Sequence, residues 1–439
     1  MALFRSSFSE VAPHLAVALL VLCCSAQAHA QLQPAAVSTP GTLAVPSAAN
    51  ALSVGEAVRR ALAANPDLSA VRREWEATAG SLIQAGLRRN PEAGFLQEDI
   101  RDGRRTSTFQ LTVPIERGGK RDARIAVASR VREQAELGID QYRADVRAAV
   151  MANYFQVLLA KERLKLAQES LSLSSGSADA AGKRVQAGKV SPVEETRARV
   201  AQAAAQAELA RAESDVRTAR QQLSSLWGDS ANTYGDIAGA LVLPAEGLPD
   251  EFVYQRLQNS PQLLRARLEV ERWRATVNLE QARSVVDVAV TAGAKRDQAS
   301  GTTMGVVGIS IPIPIFDRNQ GNIAEAVSRE YKAQDELRAA EVRLTTQVSQ
   351  AREQLRAART EALTLQRDAV PGARSAYQAA SQGFTLGKFS YLEALDAQRT
   401  LIGTQAQYLR ALSDTYQAAA ELERLLGISD DTSVLLTPR

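Results

Sequence analysis

The chain has 439 residues, of which 45% are hydrophobic and only 5% are aromatic. Its 52 basic and 49 acidic residues nearly cancel and leave a formal net charge of +3. A chain of this length can bury a large core, and its balanced charge gives no support for a nucleic-acid partner.

The N-terminus has the pattern of an export signal. An arginine precedes the apolar run LAVALLVLCC, and an AHA sequence follows it. The run is shorter than the roughly 20 residues that cross a bilayer, so we predict a signal peptide over 1–30 that is cleaved after Ala30. A Pro-, Ala- and Ser-rich extension follows over 31–50. A retained anchor and a lipid anchor on Cys23 or Cys24 are the alternatives.

The predicted cleavage removes every cysteine and histidine of the chain, namely Cys23, Cys24, His14 and His29. The mature chain then has no disulfide, no thiolate nucleophile, no imidazole base and none of the usual zinc or copper ligands. We therefore expect no enzymatic activity, no cofactor and no resident metal.

The rest of the chain contains two copies of one unit. RVQAGKVSPVEE resembles GFTLGKFSYLEA at an offset of 199 residues, and LSSLWG resembles LERLLG at the same offset. Similar segments in one order at one offset indicate an internal duplication. We place the first repeat at 51–245 and the second at 246–430, with a tail over 431–439.

Both repeats have the same predicted order: a short helix, a second helix after an Asn-Pro or Ser-Pro break, two strands and two long helices. The predicted strands lie at about 92–101 and 105–116 in the first repeat, and at about 285–297 and 303–316 in the second. The predicted long helices lie at about 119–184, 189–228, 319–382 and 389–427.

The strands have one apolar face. In the second strand Phe109, Leu111 and Val113 alternate with Gln110 and Thr112. Such strands suit a membrane barrel, which needs about 9 to 11 residues per crossing. Four strands cannot close a barrel, because the smallest type has about eight and an open edge leaves amides unpaired in lipid. Three chains together would supply twelve strands.

The long helices have a coiled-coil pattern. Ile139, Tyr142, Val146 and Val150 follow one another at steps of 3, 4 and 4, and alanine is abundant on the remaining faces. At 1.5 Å per residue these helices reach on the order of 75 to 100 Å, so they must bundle lengthwise. A periplasmic structural coiled coil would explain the helices alone, but the strand pairs favour a tube.

The duplicated order resembles the TolC-like outer-membrane efflux factors over nearly the whole mature chain. The resemblance implies a mainly α fold with a small membrane β part, in which a homotrimer forms a long α-barrel below a shared twelve-stranded barrel. PIERGGKRDARIAVA and IPIPIFDRNQGNIAEA are similar to the branch that serves heavy-metal pumps of the cobalt–zinc–cadmium type. The implied partners are outer-membrane lipid, a periplasmic adaptor and an inner-membrane pump of the RND type.

The resemblance also gives roles to particular residues. The turns QAGKVS and TLGKFS would be the periplasmic tips that dock the adaptor, and their predicted docking residues are Gly188, Lys189, Ser191, Gly387, Lys388 and Ser390. Glycine permits the tight reversal between antiparallel helices. Plain helix capping by the same residues is the alternative.

A second set of residues lies where the barrel would meet the helices. Prolines would bend the strands inward there and glycines would ease the turn; the predicted junction residues are Pro114, Gly118, Gly119, Pro312, Pro314 and Gly321. Simple strand termination is the alternative for Pro312. The predicted function is a passive trimeric duct for cations such as cobalt, zinc and cadmium, and a multidrug or type I protein-secretion duct is the rival within this architecture.

Overall fold

The computed structural model describes residues 51–99, 101, 103–244, 246–428 and 435. The predicted signal peptide and the extension to residue 50 lie outside the described residues. The predicted tail also lies outside them, apart from Leu435.

The described chain is mostly helical, with one small sheet. In chain order its elements are α1 (Val54–Ala64), α2 (Pro66–Gly86), β1 (Glu92–Glu98), β2 (Thr106–Ile115), α3 (Lys120–Gln186), α4 (Pro192–Ser225), α5 (Asp250–Gln258), α6 (Pro261–Arg283), β3 (Val288–Asp297), β4 (Thr303–Ser310), α7 (Gln320–Thr364), a π-helical turn (Leu365–Ala369), α8 (Val370–Thr385) and α9 (Tyr391–Leu425). With 67 residues, α3 is about 100 Å long.

The sheet has the strand order β1-β2-β3-β4, and every neighbouring pair is antiparallel. Apolar side chains on one face of β2 are exposed, whereas the alternate polar residues are half-buried. Thr112 and Thr291 lie opposite each other on the polar face, and their hydroxyl groups are 3.0 Å apart. The predicted division of β2 into an apolar and a polar face is therefore confirmed.

Two predicted elements are corrected by their prolines. The strand predicted to reach residue 316 ends at Ser310, because Pro312 and Pro314 have no N–H to donate to a ladder. The helix predicted over 319–382 is interrupted by the π-helical turn directly before Val370 and Pro371. A wider turn there accommodates the missing N–H and the ring of the proline.

The helices continue the order of the sheet. Helices α2, α3, α6 and α7 lie side by side in the same order as the strands to which they are joined, β1, β2, β3 and β4. Helices α4, α8 and α9 pack beside them. The largest core cluster lies where α1, α3, α7 and α9 meet. Here the rings of Phe155 and Tyr416 stack 4.0 Å apart, and the Tyr416 hydroxyl donates to the Val242 carbonyl at 2.5 Å. Within the described part of the chain, no helix is both long and apolar enough to cross a membrane.

Candidate functional sites at the helical tips and the sheet-to-helix junction

The turn between α3 and α4 forms the first tip. Gly188 has a φ of 68°, and its N–H donates to the Val185 carbonyl at 2.9 Å. The Lys189 N–H donates to the Arg184 carbonyl, also at 2.9 Å. These two bonds make a Schellman motif, which needs the left-handed conformation that glycine adopts without steric cost. Ser191 then caps α4 by accepting from the Val193 N–H at 3.3 Å.

The turn between α8 and α9 repeats this geometry. Gly387 has a φ of 73°, and the Lys388 N–H donates to the Gly383 carbonyl at 2.8 Å. Ser390 caps α9 with a full capping box, because its own N–H also donates to the Glu393 carboxylate at 2.7 Å. The positive φ expected at both tip glycines is therefore present, and helix capping accounts for both serines.

The two tips are in contact with each other. The Arg184 guanidinium lies 4.1 Å from the centre of the Phe384 ring, and its Nη2 donates to the Phe384 carbonyl at 2.7 Å. Beneath this contact Tyr391 and Leu395 are buried in a small cluster with alanines of α3 and α4. Lys189 and Lys388 are both exposed, one at each tip.

The junction of the first repeat depends on two consecutive glycines. Gly118 and Gly119 have φ values of 72° and 70°, and Gly119 is the N-cap of α3. A Cβ on Gly118 would lie only 2.7 Å from the Cβ of Val285, whereas a Cβ on Gly119 would meet nothing within 4 Å. Pro114 stays in β2 and pairs in register with Ala289.

The junction of the second repeat is built differently from the prediction. Gly321 lies inside the first turn of α7, and Asn319 is the residue with the left-handed backbone, at a φ of 61°. The Asn319 side chain donates to the Glu280 carbonyl at 2.7 Å and to its carboxylate at 2.8 Å. Asparagine tolerates this backbone region better than other non-glycine residues. Asn319 lies 200 residues after Gly119, so the offset between the repeats aligns it with the left-handed N-cap of α3.

A group of charged side chains joins the two repeats at this level. Arg124 donates to the Glu116 carboxylate at 2.6 and 3.0 Å, and its guanidinium lowers the pKa of Glu116. Lys120 donates to the Asp287 carboxylate at 2.6 Å. Arg89 lies between the two carboxylates, at 3.6 Å from Glu116 and 3.7 Å from Asp287. No local sequence pattern predicts this group, because its members are up to about 200 positions apart in the chain.

The described residues contain no group of three or more histidines, cysteines or carboxylates that could hold a metal ion. The tips consist of capped helix turns, and the junction consists of tight turns beside a group of ion pairs. Their geometry suits a tube with a docking end and a reinforced transition between sheet and helices.

Comparison with known proteins identifies relatives that match most of the chain. The family profile described as "Outer membrane efflux protein" matches residues 57–229 and 252–428. The cobalt-zinc-cadmium resistance protein CzcC of Cupriavidus metallidurans is 45% identical over 397 residues, which cover 89% of this chain and 95% of that protein. The nickel-cobalt-cadmium resistance protein NccC of Alcaligenes xylosoxydans xylosoxydans is 31% identical over 64% of this chain and 65% of its own length.

A solved structure has the same fold. CusC, studied for the conformational changes that accompany folding and transmembrane channel formation, superimposes with a TM-score of 0.73 at 19% identity. The match covers 85% of this chain and 91% of that chain. The expected TolC-like fold is confirmed at the level of the single chain.

Proposed function

Because the chain belongs to the outer membrane efflux protein family, we propose that it is the outer-membrane duct of a tripartite efflux system that exports heavy-metal cations. The expected family and the outer-membrane location are confirmed by the family match. The duct is a passive conduit without catalytic activity in this proposal, and cargo selection belongs to an inner-membrane pump of the RND type.

The sequence identity to CzcC is the main support for the proposed metal cargo. It extends over 89% of the chain at 45%, so it includes the strands, the junctions and both tips rather than one segment. CzcC is a cobalt-zinc-cadmium resistance protein and NccC a nickel-cobalt-cadmium resistance protein. Two relatives that are named for heavy-metal resistance favour a metal duct over a duct for drugs or secreted proteins.

The sheet supports a homotrimer. Its outer strands β1 and β4 each have a partner on one side only within the chain, and one face of the sheet is exposed and apolar. A free edge in lipid would leave backbone amides unpaired. Because adjacent strands alternate in direction, β4 of one copy can pair antiparallel with β1 of the next. Three copies joined in this way close a barrel of twelve strands.

The tips support docking of a periplasmic adaptor. Both tips present an exposed lysine beside a glycine. A Cβ added to either glycine would meet no atom within 4 Å, so the surface is open to a partner. We assign docking to Gly188, Lys189, Ser191, Gly387, Lys388 and Ser390. Helix capping by the serines is compatible with this role, because capping fixes the shape of the turn that the adaptor would bind.

The docking assignment is tested by changing Gly188 and Gly387 to glutamate together. We expect metal resistance and cross-linking to the adaptor to be lost, while the amount of trimer in outer membranes is retained. Substitution of both glycines by asparagine is the matched control, since asparagine tolerates positive φ without adding charge. Unchanged resistance in the glutamate variant would contradict docking at the tips.

The cargo is tested in a strain that lacks the protein, with and without the gene restored. Survival and cellular content are measured for zinc, cobalt, cadmium, nickel and copper, beside survival with a dye and a detergent. We expect accumulation of one group of cations only. Sensitivity to the dye and detergent without metal accumulation would retain the tube and refute the metal cargo. Absence of heat-resistant trimers from outer membranes would instead favour a periplasmic coiled-coil protein.

A further inference from the structure

The cleft beside the junction has more positive than negative charge. It encloses about 1,040 Å³ between the end of α2, the start of α3 and the end of α6. Five cationic side chains line it: Arg88, Arg89, Lys120, Arg124 and Arg283. Glu116 lines it too, and Asp287 and Glu280 lie behind it, bonded to lining residues.

Three of the cations are already neutralised. Arg124 is 2.6 Å from Glu116, Lys120 is 2.6 Å from Asp287, and Arg283 is 2.6 Å from Glu280. Each of these carboxylates thus has a basic nitrogen atom 2.6 Å away. These pairs contribute no net charge to the cleft.

Two arginines remain in excess. Arg89 lies 3.6 and 3.7 Å from carboxylates that have other, shorter bonds, and its side chain is 62% exposed. Arg88 is exposed, and among the described residues no carboxylate lies within 4.0 Å of it. Glu92, at the start of β1, forms no ion pair with either arginine in the described chain. The cleft therefore has two more guanidinium or ammonium groups than carboxylates, and the side chains of Arg88 and Arg89 are both exposed.

The cleft lies on the polar side of the sheet. Pro114 and Ala289 are paired across β2 and β3, and Glu116 and Asp287 are each two residues farther along the same face. The opposite face carries the exposed apolar side chains that lipid would cover. Because Arg89 contacts both Glu116 and Asp287, its guanidinium lies on the side of the channel.

We propose that the cleft binds soluble oxyanions such as inorganic phosphate, with Arg88 and Arg89 as the ligands, and that its copies form an anion-binding collar at the base of the barrel. Guanidinium groups bind phosphate oxygens by paired charge-assisted hydrogen bonds. The collar rests on the proposed function, since a ring needs the trimer and its channel. It would hold oxyanions on the route that the metal cations follow.

The first test is binding of inorganic phosphate to the full mature chain, purified as trimers in a maltoside detergent and measured by titration calorimetry. We expect saturable binding that weakens with added salt. Replacing both residues together, Arg88→Gln and Arg89→Gln, should weaken binding at least tenfold, whereas Arg88→Lys and Arg89→Lys should retain part of it. Arg104→Gln, an exposed arginine at the other end of the sheet, is the matched control and should bind as the original protein does.

Equal phosphate affinity in the double glutamine variant, or no binding by the original protein, would overturn the proposal. The proposal would also be overturned if the double glutamine variant lost co-purified phosphatidylglycerol but kept its phosphate binding, because the cleft would then face lipid. Conductance of the same trimers in planar bilayers tests the duct separately. A protein that conducts but does not bind phosphate refutes only the collar, and one that binds phosphate but never conducts refutes the duct.

Discussion

Gly118 allows a quantitative test of the junction. A Cβ there would lie 2.7 Å from the Cβ of Val285, 2.8 Å from its Cγ2 and 3.1 Å from the Ala282 carbonyl oxygen. Carbon atoms normally approach to about 3.5 to 4.0 Å, so the overlap is close to 1 Å. Such overpacking costs about 1 to 3 kcal/mol, and the left-handed backbone of an alanine costs roughly a further 1 to 2 kcal/mol. We therefore expect Gly118→Ala to destabilise the protein by about 2 to 5 kcal/mol.

Gly119 is the control in the same turn. Its φ of 70° is nearly that of Gly118, but nothing lies within 4 Å of its added Cβ. Gly119→Ala should therefore cost about 1 to 2 kcal/mol from the backbone alone. The free energy of unfolding is measured by guanidinium titration in detergent at one protein concentration, with tryptophan fluorescence as the signal.

The double variant Gly118→Ala, Val285→Gly removes the atom that the new methyl group would strike. Its loss of stability should be smaller than the sum of the two single losses by at least about 1 kcal/mol. Equal losses for Gly118→Ala and Gly119→Ala, or strict additivity with Val285→Gly, would refute the steric account of this turn.

Three further predictions concern the helices. Arg147 and Glu423 form a fully buried ion pair at 2.8 Å, so Arg147→Met should cost about 3 to 5 kcal/mol in thermal or chemical unfolding, and adding Glu423→Leu should recover part of it. Ser390→Ala should cost about 1 kcal/mol by removing the capping box of α9, measurable as faster proteolysis at the tip. Hydrogen bonds from Arg272 help to lower the pKa of Glu269 to about 2, so its stabilising effect is full above about pH 4.5 and is lost as the pH falls towards 2. Glu269→Gln should flatten the pH dependence of unfolding over that range, and an unchanged curve would contradict the assignment.

Local patterns were enough to predict much of this fold. The alternation in β2 identified the two faces, because a strand places successive side chains on opposite sides. The Gly-Lys turns were recognised by their repetition, and both tip glycines have the left-handed backbone that a tight reversal needs. These features depend on a few consecutive residues.

Other features depend on distances between segments that the sequence does not specify. Lys120 and Asp287 are 167 positions apart, and they meet only because β2 and β3 pair in one particular register. The contact of Arg184 with Phe384 likewise requires that the two tips lie side by side. At the second junction the predicted turn residue was Gly321, whereas the left-handed residue is Asn319, which the offset of the duplication aligns with Gly119.

The π-helical turn changes the register of the helix that contains it. In α7, Val348, Leu355 and Ala362 are buried at steps of seven. Beyond the turn a half-buried stripe again steps by seven through Val370, Tyr377 and Phe384, but Val370 lies eight positions after Ala362. The segment thus contains one residue more than a regular repeat of seven requires, as a one-residue insertion would, and the repeat is kept on both sides of it. Loss of one residue within Leu365–Ala369 would restore a regular repeat, so this short stretch is where the length of the long helix can change while the rest of the tube stays in phase.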